Sequence, residues 1–245
     1  MLLVQNLVKH YHKEIALDGV SMEINEGEFV AILGSSGAGK STFIRCINRL
    51  LEPTSGSIIY KGMDMGQLRK KQLREIRREM GMIFQDFHLI SRFNTLQNVL
   101  VGSYGRYPVW RILLNRLPRK EWKLAEELIS KVGMAPFAKK QVRDLSGGQR
   151  QRVGIARTLM QYPSIILGDE PVASLDPVTS RAIMDLLKEI NEKDRITMII
   201  NLHDTEIARR YATRIIGLAK GRIVFDGQPD ALTEEQILRI YGEAG

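Results

Sequence analysis

FVAILGSSGAGKST, residues 29–42, decides the fold. Five apolar residues, 29–33, read as a buried strand, and they run straight into a glycine-rich loop. Residues 34–41 fit G-x-x-x-x-G-K-[ST], set between a strand and a helix as the mechanism of that loop requires. Gly34, Gly37 and Gly39 let backbone N–H groups close around phosphate oxygens without interference from a Cβ, with Ser35, Ser36 and Ala38 completing the cradle. Lys40 reaches the β- and γ-phosphates, the Ser41 hydroxyl ligates Mg²⁺, and Thr42 follows in the first helical turn. At average glycine usage, a chance match in a chain of this length is on the order of one in a hundred.

Upstream of this loop, LLVQNLVKHY, ALDGVSMEI and EFVAIL alternate apolar and polar residues between turn formers. The first thirty residues therefore predict a small antiparallel β region. Downstream, the strand signal fades after residue 90. Residues 94–161 read as mostly helical: NTLQNVLVG, then RKEWKLAEELISKVG with a stop at Gly133, then the stretch after Ser146. Strands return at SIILG (164–168), TMII (197–200) and RIIGL (214–218), alternating with helical patterns. This order predicts an α/β core with a mostly parallel sheet, at 1–90 and 160–245, interrupted by a helical subdomain at about 91–159. One domain is expected, without repeats, linkers or an appended regulatory unit.

The carboxyl ends of the strands carry further chemistry. In IILGDEP the strand delivers Asp169 and Glu170 to the sheet edge where open α/β folds bind ligands. Neighbouring residues at a strand end point in different directions. Asp169 can hold Mg²⁺ through water, while Glu170 polarises an attacking water, which suits phosphoryl transfer. His203 closes the apolar run TMIINL on the same edge and is expected to contact a γ-phosphate. Gln85 follows MGMIF in the same way, and its amide can touch Mg²⁺ or the attacking water. Tyr11 can stack on an adenine ring.

A second anion site is written at LSGGQ, residues 145–149. Ser146 and Gln149 form a capping box that orients a helix start. Gly147 and Gly148 leave its N–H groups open to an anion that the helix dipole favours.

Composition narrows the class. The 245 residues are 44% hydrophobic and 26% charged, enough to bury a core. No apolar run approaches the eighteen or so residues that cross a bilayer. The N-terminus lacks a secretory leader, and the single Cys46 suits a reducing compartment, so a cytoplasmic location is expected. Cys46 follows the loop in a helical segment, as a small buried thiol. The net charge of +8 concentrates in RKKQLREIRRE (69–79) and RYPVWRILLNRLPRKEWK (106–123). Such runs suit nucleic acid, an anionic membrane surface, or simply a solvated helix face. The aromatics of the second run, Tyr107, Trp110 and Trp122, do not repeat at a base-stacking interval.

GSSGAGKST, Gln85, LSGGQ, IILGDEP, SLD (174–176) and His203, in chain order 34–42, 85, 145–149, 165–171, 174–176 and 203, resemble the ATP-binding subunit of an ABC transporter. The resemblance covers essentially the whole chain. It implies ATP and Mg²⁺ as ligands and a head-to-tail homodimer in which each signature helix closes on the γ-phosphate held by the other subunit. It further implies that Ser174–Asp176 communicate across that dimer, with Asp176 at the nucleotide, and that Gln85 opens the segment that senses a membrane permease. An exported substrate-binding protein is the indirect partner, nucleic acid is not expected, and the place of work is the cytoplasmic face of the membrane. Gly168 departs from the family, which more often has alanine there.

Residues 170–191, 201–229 and 87–122 resemble the phosphonate-import ATP-binding subunits in particular. An importer of phosphite or another small oxyanion remains open within that class. A nucleic-acid-associated ABC ATPase fits less well, because the chain has one cassette, one cysteine and no heptad arm. A P-loop small-molecule kinase leaves LSGGQ unexplained.

Overall fold

The computed structural model describes residues 1–12 and 14–242. In chain order, strands β1 (Leu2–Tyr11), β2 (Glu14–Ile24) and β3 (Phe29–Leu33) lead into helix α1 (Lys40–Ile47). Then come β4 (Ser55–Tyr60), β5 (Met63–Asp64), α2 (Lys70–Glu79) and β6 (Met80–Phe84). A helical stretch follows, made of α3 (Thr95–Val101), α4 (Val109–Leu113), α5 (Arg119–Lys131) and α6 (Gly147–Leu159). The chain returns to the sheet with β7 (Ile165–Asp169), α7 (Pro177–Asp194), β8 (Thr197–Asn201) and α8 (Thr205–Tyr211). It finishes with β9 (Arg214–Ala219), β10 (Arg222–Gly227) and α9 (Glu234–Tyr241).

The main sheet has the order β10-β9-β3-β8-β7-β6. Its neighbours are parallel except β10, which pairs antiparallel with β9 at the edge. β3, β7 and β8 are buried at every position, which explains their unbroken apolar runs. Alternate side chains serve two cores. Val30, Ile32, Ile165, Leu167 and Ile199 face a layer formed by α1 and the antiparallel sheet. Phe29, Ala31, Leu33, Ile166, Met198 and Ile200 face the helices. The period of two thus builds three layers around one sheet.

The antiparallel region is larger than the first thirty residues predict. β1 and β2 are long, and β4 and β5 join them after α1 in the order β2-β1-β4-β5. Leu2 pairs with both Ile24 and Tyr60, so β1 is a central strand whose second partner arrives from beyond the glycine-rich loop.

In the helical stretch, α5 ends at Lys131 and Gly133 takes the left-handed conformation (φ 72°) that terminates helices. α6 also packs on the sheet. The Thr158 hydroxyl donates to the Met82 carbonyl at 3.1 Å, and a Cβ on Gly81 would lie 2.4 Å from Thr158 Cγ2. The basic run 69–79 forms α2, whose only fully buried residue is Ile76; Arg69, Lys70, Lys71 and Arg74 are exposed, while Arg77 is half-buried and donates to the Asn48 and Arg49 carbonyls.

Candidate nucleotide-binding site

The glycines of the loop after β3 have separate reasons to be glycine. Gly39 sits at φ 105°, and a Cβ there would meet the Ala16 carbonyl oxygen at 2.4 Å. Gly34 has ordinary φ, but its Cβ would lie 2.4 Å from the Leu218 carbonyl oxygen. The loop is therefore wedged between β2 and β9, with no room for side chains at two of its corners. Gly39 caps α1 without a side-chain acceptor, and the first turn holds no acid. Its N–H groups are left to an anion that the helix dipole favours.

Lys40 is buried, and its Nζ donates to the carbonyls of Gly34 at 2.7 Å and Ser35 at 3.1 Å. Burial pushes the ammonium below its ordinary pKa, while Glu170 and Asp169 pull it back up. A cation with two acids facing it and, among the described residues, no direct carboxylate partner is poised for phosphate oxygens.

Asp169 ends β7 and is buried at the sheet edge. The Ser41 hydroxyl donates to its Oδ1 at 2.7 Å, Asn201 Nδ2 donates to the same oxygen at 3.0 Å, and Arg45 Nη2 donates to Oδ2 at 3.3 Å. Ser41 and Asp169 are thereby brought together from 128 residues apart. Asn201 and Arg45 belong to this centre and were not among the residues expected from sequence. Both left a signal: Asn201 is the polar end of an apolar strand on the ligand edge, and Arg45 lies one turn beyond Ser41 on α1.

Glu170 follows at φ 54°, a left-handed conformation costing a non-glycine residue of order 1–3 kcal/mol. Its Oε1 lies 2.6 Å from His203 Nε2. His203 stands two residues beyond β8, which ends at Asn201, so it sits in the following loop and does not close the strand. A cleft of about 510 Å³ opens beside this pair and reaches Leu175 and Pro177 at the start of α7.

Phe84 pairs in register with Asp169, which sets Gln85 next to the acid pair on the same edge, exposed and one residue past β6. Tyr11 ends β1 with its ring exposed and the Lys9 ammonium 5.2 Å from the ring centroid. The remaining loop residues, Ser35, Ser36, Gly37, Ala38 and Thr42, surround the same helix start, with Gly37 at φ 81°.

At α6 the capping box is formed: Ser146 Oγ accepts from Gln149 N at 3.3 Å, and Gln149 Oε1 accepts from Ser146 N at 3.0 Å. The two glycines do more than bare the N–H groups. A Cβ on Gly148 would lie 2.3 Å from Thr179 Cγ2, and one on Gly147 would lie 3.2 Å from Leu175 Cδ2. They let α6 approach α7 closely. Asp176 caps α7, its Oδ1 accepting from Val178 N at 3.1 Å and Thr179 N at 2.9 Å. Those bonds, with Thr179 foremost, hold its carboxyl below the usual range. Among the described residues no hydrogen bond joins 146–149 to 34–42.

The donor set at Asp169 suits Mg²⁺: a carboxylate, a serine hydroxyl and the buried, unpartnered Asn201 Oδ1 are all hard oxygens. One carboxylate is enough for this ion when substrate phosphates supply further ligands.

A phosphate cradle, a buried lysine, and an acid pair at the end of a parallel strand together define a nucleotide-binding P-loop ATPase of the cassette type. A family model described as "ABC transporter" matches residues 17–173. The phosphonates import ATP-binding protein PhnC of Wolinella succinogenes is 49% identical over 99% of this chain and 89% of its own length. A second such protein, from Oceanobacillus iheyensis, is also 49% identical, over 99% and 96%. Among solved structures, the dimeric bacterial ABC transporter cassette MJ0796 superposes with a TM-score of 0.82 at 36% identity, covering 94% of this chain and 99% of that one. The cbiO1 cassette of Clostridium perfringens, part of the transporter complex cbiONQ, gives 0.84 at 32% identity over 97% and 92%. This chain belongs to the ABC transporter family as an ATP-binding cassette.

Proposed function

We propose that this chain is the ATP-hydrolysing subunit of an importer that takes up phosphonates. The observation that carries the substrate is its 45–49% identity, over nearly its whole length, to proteins named for phosphonate import. The parts proposed for the site residues are these. The N–H groups of α1 and the Lys40 ammonium hold the β- and γ-phosphates. Ser41 and Asp169 hold Mg²⁺, with Asn201 and Arg45 fixing the carboxylate, and Gln85 beside them. The ion supplies neutralisation of the phosphate charge during transfer. Glu170 Oε orients water and takes its proton, while His203 Nε2 fixes the carboxylate and extends toward the γ-phosphate. Tyr11 offers its exposed face to the base.

Two copies are proposed to pack head to tail, so that Ser146, Gly147, Gly148 and Gln149 of one close over the loop of the other. Among the described residues no hydrogen bond joins the two helix starts within one chain, which supports this reading. Asp176 then stands at the shared boundary, between Leu175 and Pro177, which line the cleft that leads from Glu170. The segment after Gln85 is proposed to meet a permease. Phe87 and His88 both have positive φ (58° and 46°), and Arg157 of α6 clamps their carbonyls. The Arg150 guanidinium lies 5.6 Å from the Phe87 ring. A shift at the signature helix is therefore passed to this segment without a contact to nucleotide. The chain works peripherally at the cytoplasmic face of the membrane, with an exported binding protein as indirect partner. Among the described residues no helix is long and apolar enough to cross a membrane.

Reconstitution with the permease and binding protein tests this. ATP hydrolysis should rise with a phosphonate and fail to rise with phosphite. Stimulation by phosphite alone would move the assignment to the other oxyanion, and stimulation by duplex DNA without permease would remove the transporter reading.

A further inference from the structure

Residues 108–118, bracketed by Pro108 and Pro118, carry apolar side chains that the cores do not use. Val109 is 69% exposed, Trp110 52%, Leu113 78% and Leu114 61%. The segment is nonetheless well formed. Arg111 N donates to the Pro108 carbonyl at 3.0 Å, Leu114 N to Trp110 at 3.1 Å, and Arg116 N to Arg111 at 2.7 Å. Asn115 turns the chain at φ 52°. Leu117 anchors the segment against the helical core, leaving the tip outward.

The charges around that tip are equally unspent. Arg106 is paired with Glu121 at 2.5 Å, and Lys123 with Glu127 at 3.8 Å. Arg111, Arg116, Arg119 and Lys120 have no carboxylate partner among the described residues. The Arg111 guanidinium instead lies 5.2 Å from the centroid of the Trp110 ring.

We propose that residues 108–120 form a lipid-contact element. Trp110, Leu113 and Leu114 enter the interfacial layer of an anionic leaflet, and the four unpaired cations meet headgroup phosphates. An indole prefers that interface because one part of it is apolar and its N–H stays wet. Basic residues beside exposed apolar ones bind such surfaces by combined burial and charge. A helix of only five residues cannot present the i, i+3, i+4, i+7 ridge that fills a protein groove, which favours a lipid surface over a partner helix. The contact is small, and it gains effect from a partner that already holds the cassette near the membrane. It therefore rests on the membrane-peripheral reading above.

The test uses the full chain, with Trp122→Phe leaving Trp110 as the only indole, since the sequence has two tryptophans. Vesicles of phosphatidylcholine alone are compared with vesicles containing phosphatidylglycerol. Trp110 emission should shift to the blue, and the protein should float, only with the anionic vesicles and less as salt rises. Arg111→Gln and Arg116→Gln should each weaken partition roughly fivefold. Replacing Trp110, Leu113 and Leu114 together with serine should abolish flotation while ATP hydrolysis in solution stays unchanged. No emission shift on anionic vesicles, or equal flotation of the triple-serine variant, overturns the proposal. So does flotation that appears only when permease is present and is the same with vesicles of phosphatidylcholine alone, which assigns the patch to a protein contact. ATP hydrolysis by the same variants reports separately on the nucleotide reading.

Discussion

Glu170 Oε1 lies 2.6 Å from His203 Nε2, and Glu170 holds that position from a left-handed backbone conformation. The two adjacent acids therefore have different partners: Asp169 accepts from Ser41, Asn201 and Arg45, while Glu170 faces His203.

Glu170→Gln keeps the shape and removes the base. Turnover is expected to fall about 10²–10⁴-fold with ATP affinity kept. Size exclusion with Mg-ATP should then show an added dimer fraction, because the closed state no longer discharges. Near wild-type turnover removes Glu170 from its role.

Lys40→Ala acts on binding. The ammonium is the loop's only charge, and its loss should weaken ATP at least tenfold by nucleotide fluorescence. The same change also removes two bonds to the Gly34 and Ser35 carbonyls. Thermal unfolding without nucleotide separates the two effects: a large drop in Tm there points to loop collapse as the cause.

How far the sequence foretold this site depends on how local each signal is. FVAIL and the loop after it are local, and the expected strand and β3 share the same bounds. IILGDEP is local too, and its acids stand where the strand end puts them. Asn201 escaped because its partnership with Asp169 is set by the β7–β8 register, in which Gly168 pairs with Ile200. β4 escaped because its partner strand lies some fifty residues upstream, and pairing over that distance leaves no periodic trace. The second duty of Gly148 is visible only once Thr179 is brought against it. Contacts made by tertiary packing are what the pattern omits.

Gly168, where the family more often has alanine, now has a reason. A Cβ there would lie 2.6 Å from Ile200 Cδ1 and 3.3 Å from its Cγ2. Gly168→Ala is expected to cost roughly 1–3 kcal/mol by overpacking. Adding Ile200→Val deletes the nearer atom and should recover most of that loss in urea unfolding. No recovery would place the strain at the Cγ2 of residue 200, 3.3 Å away, which valine keeps.

Cys46 is fully buried, and burial pushes its thiol up to about 11. The fold favours the neutral form, so its contribution is complete below the ordinary thiol pKa and is lost as pH rises from there toward 11. Stability of the wild type should therefore fall more steeply over this window than that of Cys46→Ala. Parallel curves would contradict the burial argument, as would rapid labelling of the folded protein by a thiol reagent at neutral pH.

Ser146→Arg tests the trans arrangement. Ser146 caps α6 and accepts from Gln149 N, so the substitution removes a cap worth about 1 kcal/mol and places a bulky cation at the helix start. If this start serves the partner's nucleotide, the isolated chain should still bind ATP with near wild-type affinity while hydrolysis and dimer formation fail. Mixing supplies the sharper outcome. A heterodimer of Ser146→Arg with Lys40→Ala carries both lesions in one composite site and leaves the other site intact on both faces. That mixture should regain measurable ATP hydrolysis, where each variant alone has almost none. Absence of rescue, together with lost ATP binding in Ser146→Arg alone, would show that this helix serves its own chain's loop.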